Sequence, residues 1–208
     1  MKLFFIPAKS QHPLTPILKK IKIPEKKIGL VASVQFLHRL PELQKHIKGS
    51  VICGQILGCN FSIIDKAGPV DAYLYLGSAH FHPIGLARHV KQPVYIANPI
   101  TQEFNKLDEQ EVKKYEQQQR GKLLKFLNAK HVGIIVSIKP HQGNIQRALK
   151  FQEELKGKKE STIFLCDNLD INQLENFQSI DYWVNTACPR IEYPQIINLI
   201  DAVKALKQ

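Results

Sequence analysis

Long hydrophobic runs are absent from this sequence, as are the compact motifs of several common enzyme classes. The longest apolar stretches, such as 94–97 and 133–136, have the length of one strand, far short of the ~18 residues that a membrane helix needs. No G-x-G-x-x-G, P-loop, G-x-S-x-G or H-E-x-x-H pattern occurs, so nucleotide kinases, serine hydrolases and zinc proteases lack support. The apolar start is too short for a signal peptide, and we expect a cytoplasmic protein without a membrane segment.

Cysteine is scarce, and its spacing excludes the commonest zinc sites. The four cysteines, Cys53, Cys59, Cys166 and Cys188, form no paired C-x2–4-C knuckles and no C-x3-C-x2-C loop of the ordinary radical enzymes. Disulfides are disfavoured in the cytoplasm. Cys53 ends an apolar strand, and Cys53 and Cys166 are each predicted to be a buried small hydrophobe. Cys59 and Cys188 lie just beyond strands, where loops hold ligands.

Acidic residues are few relative to basic ones. The chain of 208 residues has 29 Lys and Arg against 18 Asp and Glu, a formal net charge of +11. This charge favours an acidic partner such as nucleic acid. However, most lysines fall in helix-like stretches, where a solvated face explains them equally well, and no aromatic RNA-binding motif accompanies them. Nucleic acid binding is therefore a secondary prediction.

Strand-like and helix-like segments alternate along the whole chain. The apolar runs over 28–31 and 94–97 do not alternate with polar residues, which is typical of strands covered on both faces in parallel sheets. We predict an α/β fold of two similar small domains, 1–103 and 104–208, each a parallel sheet flanked by helices. The first domain is expected to begin with a strand over 2–6 and a helix over 13–21. The second is expected to end with a helix over 194–206, with Pro194 in its first turn.

Chemically useful side chains follow several of the predicted strands. The carboxyl ends of parallel strands meet at one edge of the sheet, so these side chains are expected to gather there. They are Cys59 after 50–53, His82 after 72–76, Lys139 after 132–138, and Asn185, Cys188 and Arg190 after 182–184. Thiolates brought together from separate strand ends suit a soft metal or an iron–sulfur cluster.

Five segments around the predicted strand ends carry a distinctive pattern. The segments are Val34-Gln35-Phe36-Leu37-His38, Gly54-Gln55-Ile56-Leu57-Gly58-Cys59-Asn60, Val70-Asp71-Ala72-Tyr73-Leu74-Tyr75-Leu76-Gly77, Phe81-His82-Pro83-Ile84-Gly85-Leu86-Ala87 and Val184-Asn185-Thr186-Ala187-Cys188-Pro189-Arg190-Ile191. In this order they resemble the diphthamide synthase family, which performs the first step of diphthamide biosynthesis. The resemblance covers nearly the whole chain, matches the second and third domains of the family only, and leaves the first domain without a counterpart.

The resemblance implies a non-standard radical enzyme that uses S-adenosylmethionine. In the family, three similar α/β domains each give one cysteine to a single 4Fe-4S cluster. A 3-amino-3-carboxypropyl group is then transferred from S-adenosylmethionine to a histidine of translation elongation factor 2. By motif, Cys59 and Cys188 match two of the three cluster ligands.

The matching motifs also suggest residues that bind the cofactor. Four of the five candidates lie within the segments that carry the resemblance, and the fifth is Lys139. Lys139 and Arg190 are suited to a cofactor carboxylate. Asn185 could instead tie down the loop that carries Cys188. The full set of candidates is Gln35, His82, Lys139, Asn185 and Arg190.

The absent first domain leaves the third cluster ligand open. A second chain, a homologue or a second copy of this chain could supply it. Alternatively, a cysteine of this chain could replace it: Cys166 is the better candidate, because it ends the strand before the one that leads to Cys188, and Cys53 ranks lower because it points from a strand. A third hypothesis is a non-catalytic relative that binds a partner or the elongation factor. No catalytic residue is assigned from the sequence.

Overall fold

Each half of the chain folds around its own β-sheet. The computed structural model describes residues 4, 6, 8–57, 60–139 and 143–207. The chain divides into unit 1 (Met1–Lys113) and unit 2 (Lys114–Gln208). This division falls later than the predicted boundary after residue 103, because the strand Glu103–Lys106 pairs with the sheet of unit 1.

Unit 1 contains a five-stranded sheet in the order β2-β1-β3-β4-β5. All neighbouring strands are parallel except β5, which runs antiparallel to β4. Every residue of β1 and β3 is buried, which explains their non-alternating apolar sequences. The elements are α1 (Thr15–Leu18), β1 (Ile28–Ala32), α2 (Leu40–His46), β2 (Ser50–Gln55), α3 (Ser62–Lys66), β3 (Ala72–Leu76), α4 (Phe81–His89), β4 (Val94–Asn98) and β5 (Glu103–Lys106).

Unit 2 contains a four-stranded sheet in the order β7-β6-β8-β9, with all neighbours parallel. One core cluster joins the sheet to the helices through Phe126, Phe151 and Ala202. A second cluster includes Ile135 and Trp183. The elements are α5 (Glu109–Asn128), β6 (His131–Ser137), α6 (Ile145–Leu155), β7 (Glu160–Cys166), β8 (Tyr182–Asn185), β9 (Ile196–Asn198) and α7 (Leu199–Ala205), and a 3-10 turn covers Ile171–Asn176.

The two units repeat the same strand order and the same contact at its centre. In unit 1, Gly29 of β1 is paired with Tyr73 of β3, and a Cβ added to Gly29 would lie 2.7 Å from the tyrosine ring. In unit 2, Gly133 of β6 is paired with Trp183 of β8, and a Cβ there would lie 2.4 Å from the indole. Each central strand therefore has a glycine where an aromatic ring of the third strand packs on its backbone.

A second repeated feature lies at the amino ends of the strands. Asp71 immediately precedes β3, and its Oδ2 accepts a hydrogen bond from the N–H of Lys27 at 2.9 Å. Asp181 immediately precedes β8, and its Oδ2 accepts from the N–H groups of Lys130 and His131, each at 2.8 Å. In both units a carboxylate thus satisfies backbone donors at the start of the central strand.

The predicted fold class is confirmed, with corrections to individual elements. The predicted first strand over 2–6 falls mostly outside the described residues. The helix predicted over 13–21 shortens to α1, Thr15–Leu18. The helix predicted over 194–206 is wrong in its first part, because β9 (Ile196–Asn198) pairs with β8 and the helix α7 begins only at Leu199. Pro194 therefore precedes a strand, and its carbonyl accepts a hydrogen bond from the Tyr182 hydroxyl at 3.0 Å.

Candidate functional site at the carboxyl ends of the strands

The carboxyl edge of the unit 2 sheet holds most of the predicted site residues that the structure describes. The strand order reverses between β6 and β8, because β7 lies on one side of β6 and β8 and β9 lie on the other. Ligands of open α/β sheets bind at such a reversal, beyond the carboxyl ends of the strands. Ser137, Cys166 and Asn185 are the last residues of β6, β7 and β8. They therefore mark this edge.

The loop that carries Cys188 is held in place by Asn185. The Nδ2 group of Asn185 donates to the carbonyl of Cys188 at 2.9 Å and to Oδ1 of Asn198 at 2.9 Å, while its Oδ1 accepts from the N–H of Ala187 at 2.9 Å. Asn198 in turn donates to the carbonyl of Pro189 at 3.1 Å. The Asn185 side chain is 2% exposed and fully used by these bonds. This geometry makes Asn185 a positioning residue for the cysteine loop.

A cavity of about 400 Å³ lies at the same edge of unit 2. Its lining includes Lys139, Cys166, Asn168 and Arg190. The ammonium of Lys139 donates to Oδ1 of Asn168 at 2.5 Å, which holds the lysine beside the end of β7. Two cationic side chains, the carboxylates of Asp167 and Glu192 and a half-buried thiol therefore share one cavity. Such a cavity can accept a carboxylate through charge-assisted hydrogen bonds.

The Cys166 thiol has an altered acidity. Its pKa is raised, first by burial and then by the negative charge of Asp167, while the charge of Lys139 acts in the opposite direction. Cys166, Cys53 and Cys188 are all free thiols. Without an added positive charge or a metal, Cys166 therefore favours the protonated thiol over the thiolate.

Gly143, just before α6, lies against the backbone at the end of β6. A Cβ on Gly143 would lie 1.9 Å from the carbonyl oxygen of Ser137, so only glycine fits there. The N–H of Gly143 donates to the carbonyl of Lys139 at 3.2 Å. Asn144 then caps α6 by accepting from the N–H of Arg147 at 3.0 Å. These contacts fix where Lys139 leaves the sheet.

The remaining predicted site residues belong to unit 1. Gln35 lies in the exposed turn after β1, and its carbonyl accepts a hydrogen bond from the N–H of Ser10 at 2.9 Å. His82 lies in the first turn of α4, where its ring centroid is 6.0 Å from that of Tyr75. Both lie beyond the carboxyl ends of their strands, which was predicted for His82 only. Cys59 lies outside the described residues.

The described residues on either side of the Cys59 segment are well anchored. The N–H of Asn60 donates to the carbonyl of Leu57 at 3.1 Å. Further along, α3 is joined to α4 by the Asp65–His89 pair, whose Oδ1 and Nε2 atoms are 2.6 Å apart, and by stacking of Phe61 on His89. Helix α3 is therefore tied to α4.

Cys53 does not belong to the candidate site. Its Sγ would lie 3.1 Å from a Cβ placed on Gly29, so the thiol packs against the central strand of the sheet. Its pKa is raised by burial, against a smaller lowering by a hydrogen bond with the backbone of Leu30. The sequence predicts a buried side chain, but β2 lies at the edge of the sheet and Cys53 is only half-buried, with its thiol packed against β1.

Two polar residues of the site were missed from the sequence. Asn168 follows β7 in a stretch that showed no motif, and only its contact with Lys139 identifies it. Asn198 was hidden by the predicted helix over 194–206, although it is the last residue of β9 and contacts Asn185. A polar residue at the end of a short apolar run was the only available signal.

Most of the chain matches the model of one protein family. The family model described as "Putative diphthamide synthesis protein" matches residues 1–196, which include unit 1, unit 2 as far as residue 196 and every site residue predicted from the sequence. The chain belongs to the diphthamide synthesis protein family. The resemblance noted in five sequence segments is confirmed.

Relatives in this family are longer than the chain. The 2-(3-amino-3-carboxypropyl)histidine synthases of Pyrococcus horikoshii and Methanocaldococcus jannaschii are each 28% identical to it, over 90% and 92% of this chain. The chain spans 58% and 56% of their lengths. The crystal structure of Dph2 from Pyrococcus horikoshii with a 4Fe-4S cluster superimposes with a TM-score of 0.83 at 26% identity, covering 98% of this chain and 65% of that one.

Two further findings concern the described part of the chain. None of its helices is both long and apolar enough to cross a membrane. Among the same residues, no three or more His, Cys, Asp or Glu side chains lie close enough together to hold a metal ion.

Proposed function

We propose that this chain acts in the first step of diphthamide biosynthesis, as the component that binds a 4Fe-4S cluster and S-adenosylmethionine. The reaction transfers a 3-amino-3-carboxypropyl group to a histidine of translation elongation factor 2. One observation carries the proposal. Cys188 is a free, half-buried thiol on a loop braced by Asn185, beside a cavity with Lys139 and Arg190.

The donor chemistry of this edge fits an iron–sulfur cluster. Cys188 provides a soft sulfur ligand, the kind of donor that such clusters take. We assign Cys59 as the second ligand on the motif alone. The third thiolate comes from Cys166, which ends β7 at the edge where the Cys188 loop begins, or from a second chain, a homologue or a second copy. When bound, the cluster supplies the electron that breaks a carbon–sulfur bond of the cofactor.

The other residues of the cavity bind and orient the cofactor. Lys139 and Arg190 line the cavity, and we assign them to hold the cofactor carboxylate with charge-assisted hydrogen bonds. Asn185 acts through Cys188 by fixing the loop. Gln35 and His82 are assigned to the cofactor from unit 1, on their position beyond β1 and β3.

Anaerobic reconstitution with iron and sulfide tests the proposal. Wild type should become brown, and iron counting with electron paramagnetic resonance of the reduced sample should give about four irons per cluster. Cys59→Ala and Cys188→Ala should lose most of the iron. Cys53→Ala is the matched control, because Cys53 packs on β1, away from the carboxyl edge, and it should retain the iron.

The same experiment with Cys166→Ala identifies the third ligand. Loss of iron in this variant, with wild type loaded in isolation, would assign the third thiolate to Cys166. Loading of wild type only after a homologous chain is added would assign it to that partner. Protein that stays colourless alone and with every homologue tested would overturn the proposal and leave a non-catalytic scaffold. Transfer of label from S-adenosylmethionine to elongation factor 2 then tests the reaction itself.

A further inference from the structure

The cavity at the carboxyl edge of unit 2 holds charges of both signs. Lys139 and Arg190 contribute two cations to its lining, and Asp167 and Glu192 contribute two carboxylates. Apolar side chains form part of the remaining wall, among them Ile135, Leu169 and Ile191. A cavity lined in this way suits a small ligand that itself carries a positive and a negative group on an apolar chain.

The opposite charges in this cavity are not joined directly. Among the described residues, the ion pairs involve none of Asp167, Lys139 and Arg190. The Lys139 ammonium is instead held by Oδ1 of Asn168 at 2.5 Å. The charges of Asp167 and Lys139 nevertheless both act on the Cys166 thiol, so both lie near the same sulfur. A ligand with one anionic and one cationic group can therefore contact both of them at once.

The two carboxylates differ in how far they are already engaged. Oε1 of Glu192 accepts a hydrogen bond from the Tyr115 hydroxyl, and the Glu192 charge also acts on Lys122 of α5. Glu192 lines a second cavity beside α5 as well. The Asp167 side chain is exposed and directly follows β7. Asp167 is therefore the carboxylate that is better placed to receive a cationic group of a ligand.

We propose that Asp167 binds the ammonium group of an α-amino acid end, while Lys139 and Arg190 bind its carboxylate. An α-amino acid carries both charges on one carbon, and side chains of opposite sign can hold them through charge-assisted hydrogen bonds. Asp167 would thereby exclude ligands that lack the amino group. Such an end occurs in S-adenosylmethionine and in free amino acids. The choice of S-adenosylmethionine rests on the proposed function, whereas the assignment of Asp167 rests on the cavity.

Equilibrium binding of S-adenosylhomocysteine and two analogues tests the proposal. One analogue lacks the amino group, the other lacks the carboxylate, and all three are titrated calorimetrically into protein with and without reconstituted iron. Wild type should bind S-adenosylhomocysteine about 10-fold more tightly than the deaminated analogue, because one charge-assisted hydrogen bond is lost. Asp167→Asn keeps the shape of the side chain without its charge, and it should bind these two ligands with affinities within about 2-fold.

Three variants separate the role of Asp167 from a change of net charge. Glu175→Gln removes an exposed carboxylate of unit 2 that does not line the cavity, and it should keep the wild-type preference. Glu192→Gln should reduce the preference less than Asp167→Asn does. Arg190→Gln should weaken binding of S-adenosylhomocysteine but not of the analogue without the carboxylate. Melting temperatures establish that each variant is folded.

Two results with the variants would overturn the proposal. They are an undiminished preference for the amino group in Asp167→Asn, and loss of this preference in Glu192→Gln alone. Failure of wild type to bind S-adenosylhomocysteine in either form would overturn it as well. L-Methionine separates the two sources of the amino acid end. If L-methionine binds as tightly as S-adenosylhomocysteine, the ligand is a free amino acid, and weaker binding assigns the site to the nucleoside compound.

The proposed function and this inference fail in different ways. Protein that acquires no cluster but prefers S-adenosylhomocysteine to its deaminated analogue through Asp167 would contradict the proposed function and support the inference. Protein that loads iron and transfers label, yet binds both ligands equally in wild type, would contradict the inference alone.

Discussion

The indole of Trp183 lies against the backbone of Gly133, so closely that a Cβ on this glycine would meet the ring at 2.4 Å. Trp183 is 3% exposed and contacts the rings of Phe164 and Phe177. The indole therefore cannot move aside without disturbing its neighbours. In unit 1, Gly29 has the same relation to Tyr73. In each unit, this contact packs an aromatic ring of the neighbouring strand directly onto the backbone of the central strand.

Gly133→Ala should destabilise the protein by about 1–3 kcal/mol, because the added methyl group overpacks a rigid aromatic contact. Chemical denaturation followed by circular dichroism measures the change. Gly121→Ala is the control, since nothing lies within 4 Å of a Cβ at this position of α5. In a helix interior this substitution should stabilise by about 0.5–1 kcal/mol. Equal effects at the two glycines would refute the close contact.

Asn185→Ala should lower the free energy of unfolding by about 1–3 kcal/mol, because it leaves buried carbonyl and N–H groups without their partners. It should also reduce the iron retained after reconstitution, since the Cys188 loop loses its brace. Asn176→Ala, at an exposed position of the same unit, should change neither property. Full iron loading of Asn185→Ala would show that the loop keeps its conformation without this side chain.

The rate at which the Cys166 thiol is alkylated should depend on the charges of Lys139 and Asp167. In a background where the other cysteines are replaced by serine, Lys139→Ala should slow alkylation by iodoacetamide at pH 8, because the loss of the positive charge raises the thiol pKa further. Asp167→Asn should accelerate it, because the negative charge that raises the pKa is removed. The thiol pKa obtained from alkylation rates across pH should rise in Lys139→Ala and fall in Asp167→Asn. Identical profiles would place neither charge near the thiol.

Asp181 should make unit 2 sensitive to acid. Its pKa is lowered, chiefly because the carboxylate accepts hydrogen bonds from the N–H groups of His131 and Lys130. A lowered pKa contributes stability above the unfolded value of about 3.9, and this contribution is lost as the pH falls through the folded value. Asp181→Asn keeps an acceptor oxygen but does not titrate, so its stability should depend less on pH below about pH 5.

Urea midpoints measured at several pH values test this prediction. Glu175→Gln, which removes an exposed carboxyl group of the same unit, is the control and should retain the acid dependence of wild type. If Asp181→Asn and wild type lose stability in parallel as the pH falls, the carboxylate does not have the assigned role.

The parallel strands of the fold were predictable because their burial leaves a strong signal. β1 and β3 are apolar throughout and buried throughout. β5 was missed because a polar strand at the edge of a sheet needs only one apolar contact, here the stacking of Phe104 on Tyr95 with centroids 5.8 Å apart. β9 was missed because three residues are too few to show a period.

The location of the candidate site was predictable from the sequence, whereas the hydrogen bonds between its residues were less so. The rule that ligands bind beyond parallel strands identified Lys139 and Arg190, and Cys166 was a candidate for the third cluster ligand. The structure places all three around one cavity. No sequence pattern indicated that Asn185 bonds to Asn198, since this contact joins the ends of two neighbouring strands. Contacts between side chains that are distant in sequence depend on strand pairing, which composition and spacing do not encode.

The position of α5 limits how the gene could be divided into two expressible pieces. The helix runs from Glu109 to Asn128, so a break between Lys113 and Lys114 would cut through its first turns. Its far end carries Phe126, which is fully buried in the core of unit 2. Asp108 accepts from the N–H of Gln110 at 2.9 Å and so caps the helix. A split placed before Asp108 would keep the cap, the helix and its core residue in one fragment, at the cost of the exposed His80–Glu111 pair.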